Sequence, residues 1–201
     1  MRLSNQHLSP FDGICYTTDL AGVIQAVGFP NWDKFSRDNS APDLAASSVI
    51  GRNILDFVNG DEVKQQLAKF MDEIASGKRA RWIVPYRCDS PDRTRKMRLS
   101  ITAIQDDGKT TDGLLFQSIL LAEAGRPAIG LFDFEARQQM WANESLPILA
   151  MCSYCQMVKD ADHSKDEWVA AEAYYAMGGT SEVRLSHGIC PPCLERMRAE
   201  A

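Results

Sequence analysis

Hydrophobic positions recur along this chain with two different periods, and the change from one to the other outlines its elements. Val63, Leu67, Phe70 and Ile74 fall at helical spacing on one face, with Lys64, Gln65, Lys69 and Asp72 elsewhere. Asn59 stands ahead of this run, Glu62 is placed three residues later to complete a capping box, and Gly77 supplies a stop. The period then falls to two. Trp82, Val84, Tyr86 and Cys88 alternate onto one face, Met97, Leu99, Ile101 and Ala103 do the same, and Leu114 to Leu121 is apolar on both faces. Asp89-Ser90-Pro91-Asp92 and Asp106-Asp107-Gly108 mark the turns between three long strands, which predicts an antiparallel sheet. Pro85 has no amide hydrogen for a ladder, so it belongs at a sheet edge or a bulge.

Upstream, residues 13–26 form two short β-rich runs separated by Asp19-Leu20-Ala21-Gly22, a hairpin signal. Residues 30–50 lack a sustained period, and Ser36 to Asp43 reads as a loop with short helices on either side. Two short strands, small helices, one longer helix and three long strands make an α+β domain over residues 12–123. Ala124-Gly125-Arg126-Pro127 breaks the last strand. The connection over residues 124–150 carries Leu131-Phe132-Asp133-Phe134 and Met140-Trp141, too apolar for a free tether. It should lie on the sheet or on a second subunit, so a homodimer is expected.

The candidate chemistry sits in the last quarter. Cys152-Ser153-Tyr154-Cys155 is answered by His187-Gly188-Ile189-Cys190-Pro191-Pro192-Cys193. A tight turn aims two thiolates separated by two residues at one centre, and two such pairs supply the four ligands of a tetrahedral zinc ion. Cys152, Cys155, Cys190 and Cys193 are the predicted ligands. His187 either replaces one thiolate or donates its ring N–H to a ligand sulfur. The 34 residues between Cys155 and Cys190 exceed the about 15–20 of a plain zinc ribbon, so the insert needs structure of its own. Residues 167–175 supply it as an amphipathic helix. Covalent haem attachment fails because Gln156 and Leu194, not histidine, follow the two pairs. Deaminase chemistry fails because neither His163 nor His187 is followed by glutamate two residues on. A redox-active dithiol at Cys190-Pro191-Pro192-Cys193 stays open as the alternative, although nothing nearby reads as the strand and helix it should join.

Composition narrows the classes. The chain has 201 residues, 45% of them hydrophobic, and a net charge of −5. This suits one ordinary domain plus an appendage, and the acidic balance argues against nucleic-acid binding. No apolar run approaches the ~20 residues of a membrane span, and the N-terminus lacks a secretory core, so a cytoplasmic protein is expected. In a reducing compartment, paired cysteines favour a metal over disulfides. Arg93, Arg95, Lys96 and Arg98 read as a solvated hairpin flank, with a phosphate or partner patch as the other reading. No Gly-x-Ser-x-Gly, phosphate-cradling glycine loop or His-Glu-x-x-His occurs, so no catalytic residue is assigned and no enzyme is expected.

Ile14-Cys15-Tyr16-Thr17-Thr18-Asp19-Leu20-Ala21-Gly22-Val23-Ile24 resembles the opening hairpin of a PAS domain. Gly51-Arg52-Asn53-Ile54-Leu55-Asp56-Phe57-Val58 resembles its central helical turn. The tail, residues 151–197, resembles the Cys-x-x-Cys and His-Gly-x-Cys-x-x-Cys module at the ends of some bacterial PAS-containing signalling proteins. The resemblance implies a PAS-like five-stranded antiparallel sheet with helices on one face, a small-ligand pocket and a sensory role. The ligand is unknown. Ile54 stands where the flavin photosensors carry their reactive cysteine, which excludes a flavin–cysteine adduct. The PAS segment has no histidine to hold haem. Thiolate ligation by Cys15 or Cys88 stays open, against the reading that both are small buried hydrophobes. Trp82, Tyr86 and Cys88 are the pocket candidates, and they serve equally as core. The expected function is a non-catalytic sensor or adaptor that signals by contact with a protein partner, its tail stapled by zinc. A thiol-redox protein is the alternative.

Overall fold

The computed structural model describes residues 3–39, 41–106, 110–160 and 167–199. It divides into two compact units. The first comprises Met1–Val58, Lys64–Pro85 and Met97–Leu121, and the second Asn59–Val63, Tyr86–Lys96 and Ala122–Ala201.

The first unit is built on a five-stranded antiparallel sheet with helices, the architecture that the resemblance implies. A short helix α1 (Asn5–Leu8) precedes β1 (Ile14–Thr18) and β2 (Ile24–Val27), which pair as the expected hairpin. Asp19 makes the turn by accepting the amides of Ala21 and Val23 through Oδ1, and Gly22 takes φ +85°, the left-handed region glycine enters freely. Helices α2 (Asn31–Asp38) and α3 (Ala46–Val49) follow, then a 3₁₀ turn at Ile54–Phe57. Asn53 caps that turn by accepting the Leu55 amide, and its Nδ2 donates to the Ala21 carbonyl. The Gly51–Asn53 stretch is thereby tied to the hairpin.

Helix α4 (Asp61–Ala75) leads into β3 (Arg81–Arg87), β4 (Arg93–Asp106) and β5 (Thr110–Gly125). The sheet order is β2-β1-β5-β4-β3. Its inner face carries Tyr16, Phe116 and Trp82. Tyr16 stacks on Phe116 at 4.7 Å and meets Trp32 of α2 edge-on, while Trp82 stacks on Phe70 of α4 at 4.1 Å. Leu67, Phe70, Met71 and Ile74 are buried, as the helical period predicts. On the other face Leu8 of α1 packs with Cys15 and Ala26, so this short helix lies opposite the rest. β3 is an edge strand and Pro85 is exposed on it, as its missing donor requires.

The capping box differs from expectation. Helix α4 begins at Asp61, and Gly60 at φ +88° precedes it. A Cβ on Gly60 would stand 2.3 Å from the His187 carbonyl oxygen, so a backbone approach from far along the chain requires glycine here. The helix stop holds, with Gly77 at φ +74°. Asp107 and Gly108 of the β4–β5 turn, and His163, lie outside the described residues.

The second unit is not split at residue 150. A 3₁₀ turn (Gly130–Phe132) and α5 (Phe134–Trp141) lead to β6 (Ile148–Cys152) and β7 (Val158–Asp160). Then come α6 (Ala171–Ala176), β8 (Arg184–Gly188) and α7 (Pro191–Ala199), with the three strands ordered β7-β6-β8. Ile129 and Leu131 of the expected connection are core residues here, packed with Leu149, Met151, Val158, Ala171, Tyr174 and Val183. Residues 124–150 are therefore part of this unit, because their apolar side chains complete its core. The insert helix is shorter than residues 167–175. Val169 instead exchanges backbone hydrogen bonds with Val158, extending the strand pairing before the helix starts.

Candidate metal centre

Strand pairing brings the two cysteine pairs together. β6 runs parallel to β8 in a register that sets Cys152 beside Gly188, so the chain leaving β8 delivers Cys190 next to Cys152. Cys152 ends β6, and the turn after it closes with the Gln156 amide on the Cys152 carbonyl at 2.9 Å. Gln156 takes φ 59°, a conformation that costs a side-chain-bearing residue and is held here by its surroundings. Cys190 directly precedes α7 and Cys193 lies in its first turn, with Pro191 at the first helical position where its missing amide is harmless. The four Sγ atoms all lie within 4.8 Å of one another, and Cys155 and Cys190 are 3.5 Å apart.

Those distances suit a metal. Sulfurs about 2.3 Å from a central ion form a tetrahedron with edges of about 3.8 Å. All four cysteines are free thiols, and a 3.5 Å separation is not a disulfide. Four thiolates in this space need a cation. The Cys155 thiol, together with the amides of Cys190, Cys155 and Tyr154, lowers the Cys152 pKa against its burial. That same Cys152 contact pushes Cys155 up, while burial pushes Cys193 up to about 12. Four closely set, mostly buried sulfurs could hold a metal ion; softness selects zinc or iron over calcium and magnesium.

Two hydrogen bonds reach the sulfurs from outside the pairs' own turns. The Cys190 amide lies 3.4 Å from Cys152 Sγ, and the Arg196 guanidinium donates to Cys193 Sγ at 3.2 Å, offsetting part of the charge of four thiolates. His187 sits in β8 in register with Met151. Among the described residues, the group of converging donors consists of the four cysteines and does not include its ring. Burial lowers the His187 pKa and keeps the imidazole neutral.

The cysteine turn also grips the segment Tyr86–Lys96. The Arg87 amide donates to the Tyr154 carbonyl at 2.7 Å, and the Asp89 amide to Gln156 Oε1 at 3.2 Å. The Asp89 carboxylate, fully buried, accepts from Arg87, from the Arg95 amide at 3.0 Å and from Arg126 at 2.9 Å. Arg126 in turn donates to the Ser90 and Pro91 carbonyls and lies 4.3 Å over the Phe132 ring. None of these supports is readable from the sequence. Asp89 reads there as a turn residue and Arg126 as part of a strand break, and their pairing depends on chain segments 37 residues apart.

The pocket candidates separate. Trp82 is fully buried against Phe70 in the first unit, whereas Tyr86, near the end of β3, and Cys88, just beyond it, belong to the second. Burial pushes the Cys88 thiol up to about 11, and the same cause raises Cys15 to about 11; Cys15 is buried and Cys88 half-buried. In the basic run, Arg93 and Arg95 both pair with Glu123.

No protein-family model and no curated protein matches the chain. Solved structures similar to it include the PAS domain of Bordetella pertussis BvgS, at 14% identity and TM-score 0.46, covering 59% of this chain and 83% of that one. The Vibrio cholerae Aer2 receptor, described as a dual PAS-heme oxygen sensor, is similar at 17% identity and TM-score 0.41 over 54% of this chain and 94% of that one. A Rhodobacter sphaeroides LOV protein is similar at 16% identity and TM-score 0.41, over 57% and 62%. No described helix is long and apolar enough to cross a membrane.

Proposed function

We propose that this chain is a non-catalytic PAS-type sensor or adaptor whose second unit is stapled by one zinc ion and passes the signal to a protein partner. The observation that carries the metal reading is the convergence of four sulfurs within 4.8 Å from two turns 35 residues apart. Cys152, Cys155, Cys190 and Cys193 would hold the ion, which supplies cross-linking rather than reaction: a closed four-thiolate site offers no open position to a substrate. His187, neutral and outside the four, is assigned to the surrounding fold. The sensory reading rests on the hairpin and Gly51–Val58 resemblance together with the five-stranded sheet. Strands β3, β4 and β5 each contribute residues to both units, so a change in sheet geometry on ligand binding is carried covalently into the second. Exposed Phe134, Trp141 and Ile148 offer the second unit a surface for a partner or a second copy, and a cytoplasmic location completes the proposal.

Native mass spectrometry of freshly purified protein tests the metal reading. The expected result is one zinc per chain, lost or weakened in Cys190→Ser; full retention in that variant sinks the ligand assignment. One observation favours the thiol-redox alternative. Cys190-Pro191-Pro192-Cys193 does join a strand, β8, to a helix, α7, whose N-terminus stabilises a thiolate. Metal-free protein with four titratable tail thiols and disulfide-exchange activity would establish it instead.

A further inference from the structure

The four sulfurs are not equivalent. Cys152, Cys190 and Cys193 are buried to 2% exposure or less, whereas Cys155 is half-buried. Two of the buried sulfurs also accept N–H donors. Cys152 Sγ accepts the Cys190 amide at 3.4 Å, and Cys193 Sγ accepts the Arg196 guanidinium at 3.2 Å. Each N–H drawn to a thiolate withdraws charge and reduces its reactivity, and access decides which sulfur an oxidant reaches. Cys155 is thus the most exposed of the four. A second sulfur, Cys190 Sγ, waits 3.5 Å away. Cys155 also lies between Tyr154 and Gln156, the two residues that hold the amides of Arg87 and Asp89.

We propose that Cys155 is an oxidation site, at which a hydroperoxide drives formation of a Cys155–Cys190 disulfide that releases the metal and the Arg87–Asp89 segment together. The proposal rests on the four-thiolate metal site above. The Cys155 thiolate attacks the outer oxygen of the hydroperoxide, breaking the O–O bond to give a sulfenic acid and an alkoxide. The Cys190 thiolate then attacks the sulfenic sulfur, forming the S–S bond and expelling hydroxide. Two sulfurs lose two electrons, the hydroperoxide is reduced, and two protons from solvent turn alkoxide and hydroxide into alcohol and water. The new bond draws sulfurs from 3.5 Å to about 2.05 Å and removes two of four metal donors. Because the turn 152–156 must deform to allow this, its grip on Arg87 and Asp89 fails in the same event.

The test uses full-length zinc-loaded protein, its metal measured first, then treated with hydrogen peroxide. Zinc release is followed with a chelating dye, the disulfide by peptide mapping without reduction, and the Arg87 and Asp89 amides by hydrogen exchange. The expected result is a Cys155–Cys190 peptide formed at the rate of zinc release, with faster exchange at Arg87 and Asp89. Cys155→His keeps a zinc-competent donor, and its release rate should fall at least ~10-fold. Alkylation of the unaltered protein with limiting iodoacetamide, which needs no variant to fold, should mark Cys155 first. A disulfide within either Cys-x-x-Cys pair, first alkylation elsewhere, or release without change at Arg87 and Asp89 overturns the proposal. Absence of zinc before any oxidant overturns the metal-site reading itself, and this proposal with it.

Discussion

In the sheet unit Trp82 lies flat on Phe70, Tyr16 on Phe116, and Ile24, Ile74, Ile101 and Leu114 are almost wholly removed from water. In the cysteine unit the named core is smaller and more mixed, built from Leu131, Leu149, Met151, Val158 and Tyr174. A buried Asp89–Arg126 pair and four sulfurs supplement it. Large aromatic stacks over a five-stranded sheet bury enough apolar surface to hold their own shape. Short strands with loops between them do not, and they add charge-assisted hydrogen bonds and the four converging cysteines, the site of the proposed metal cross-link. The lesson is that one chain can use two sources of order, and that each should fail under a different insult.

The largest separation should come from metal removal. Structural zinc contributes apparent binding free energies of about 10–16 kcal/mol in small finger peptides, nearly all of it folding energy. Chelation should therefore open residues 122–199 to protease while the sheet unit stays resistant. Simultaneous cleavage of both would show that they fold as one and erase the contrast. The reverse insult is Phe70→Ala, which empties the space against Trp82 in a 1% exposed site. A loss of about 3–5 kcal/mol is expected in the sheet unit's denaturant melt, with zinc stoichiometry unchanged.

Asp89→Ala probes the charged support. It removes the buried carboxylate partner of Arg126, whose side chain is 6% exposed and keeps the half-exposed Glu172 at 3.2 Å, and it removes the acceptor for the Arg95 amide. A loss of about 3 kcal/mol in the second unit is expected, tempered by the partial exposure of Arg87, and Asp89→Asn should lose less because it keeps an acceptor. An unchanged melt would mean that the pair is cosmetic and the metal suffices. The smallest effect belongs to Glu123. Its hydrogen bond from Arg93, then that from Arg95, holds its pKa below the usual carboxylate value. A depressed folded pKa adds stability that is complete above the unfolded pKa and fades as pH falls through the folded one. Since this group is solvated, Glu123→Gln should remove only about 0.2–1 kcal/mol at neutral pH and nothing once the carboxyl is protonated. Melts at neutral pH and in strong acid check the sign.

Much of this molecule is legible in its residue pattern alone. Alternation in Trp82–Cys88 and Met97–Ala103 marks strands because a pleat places every second side chain on one face, and the 3.6-residue rhythm of Leu67, Phe70 and Ile74 marks α4. The Asp19–Gly22 turn is visible because few residues accept a left-handed backbone. The four cysteines are visible because two thiols two residues apart can share one centre. These are local properties, written in spacing and residue type.

What only the tertiary structure decided depends on segments distant in sequence. Residues 124–150 read as a connection, yet Ile129 and Leu131 are core, since an apolar side chain does not declare which surface it will cover. Position 60, just ahead of helix α4, admits only glycine because the His187 carbonyl crowds it. The Asp89–Arg126 pair and the Tyr154 and Gln156 contacts to Arg87 and Asp89 join residues 37 to 67 positions apart. Charge and hydrogen-bonding capacity are read from the residue itself. Which partner satisfies them is settled only by how strands β6 and β8 and the segment Tyr86–Lys96 are brought together, because burial makes an unsatisfied polar group costly and so selects the arrangement in which each finds its match.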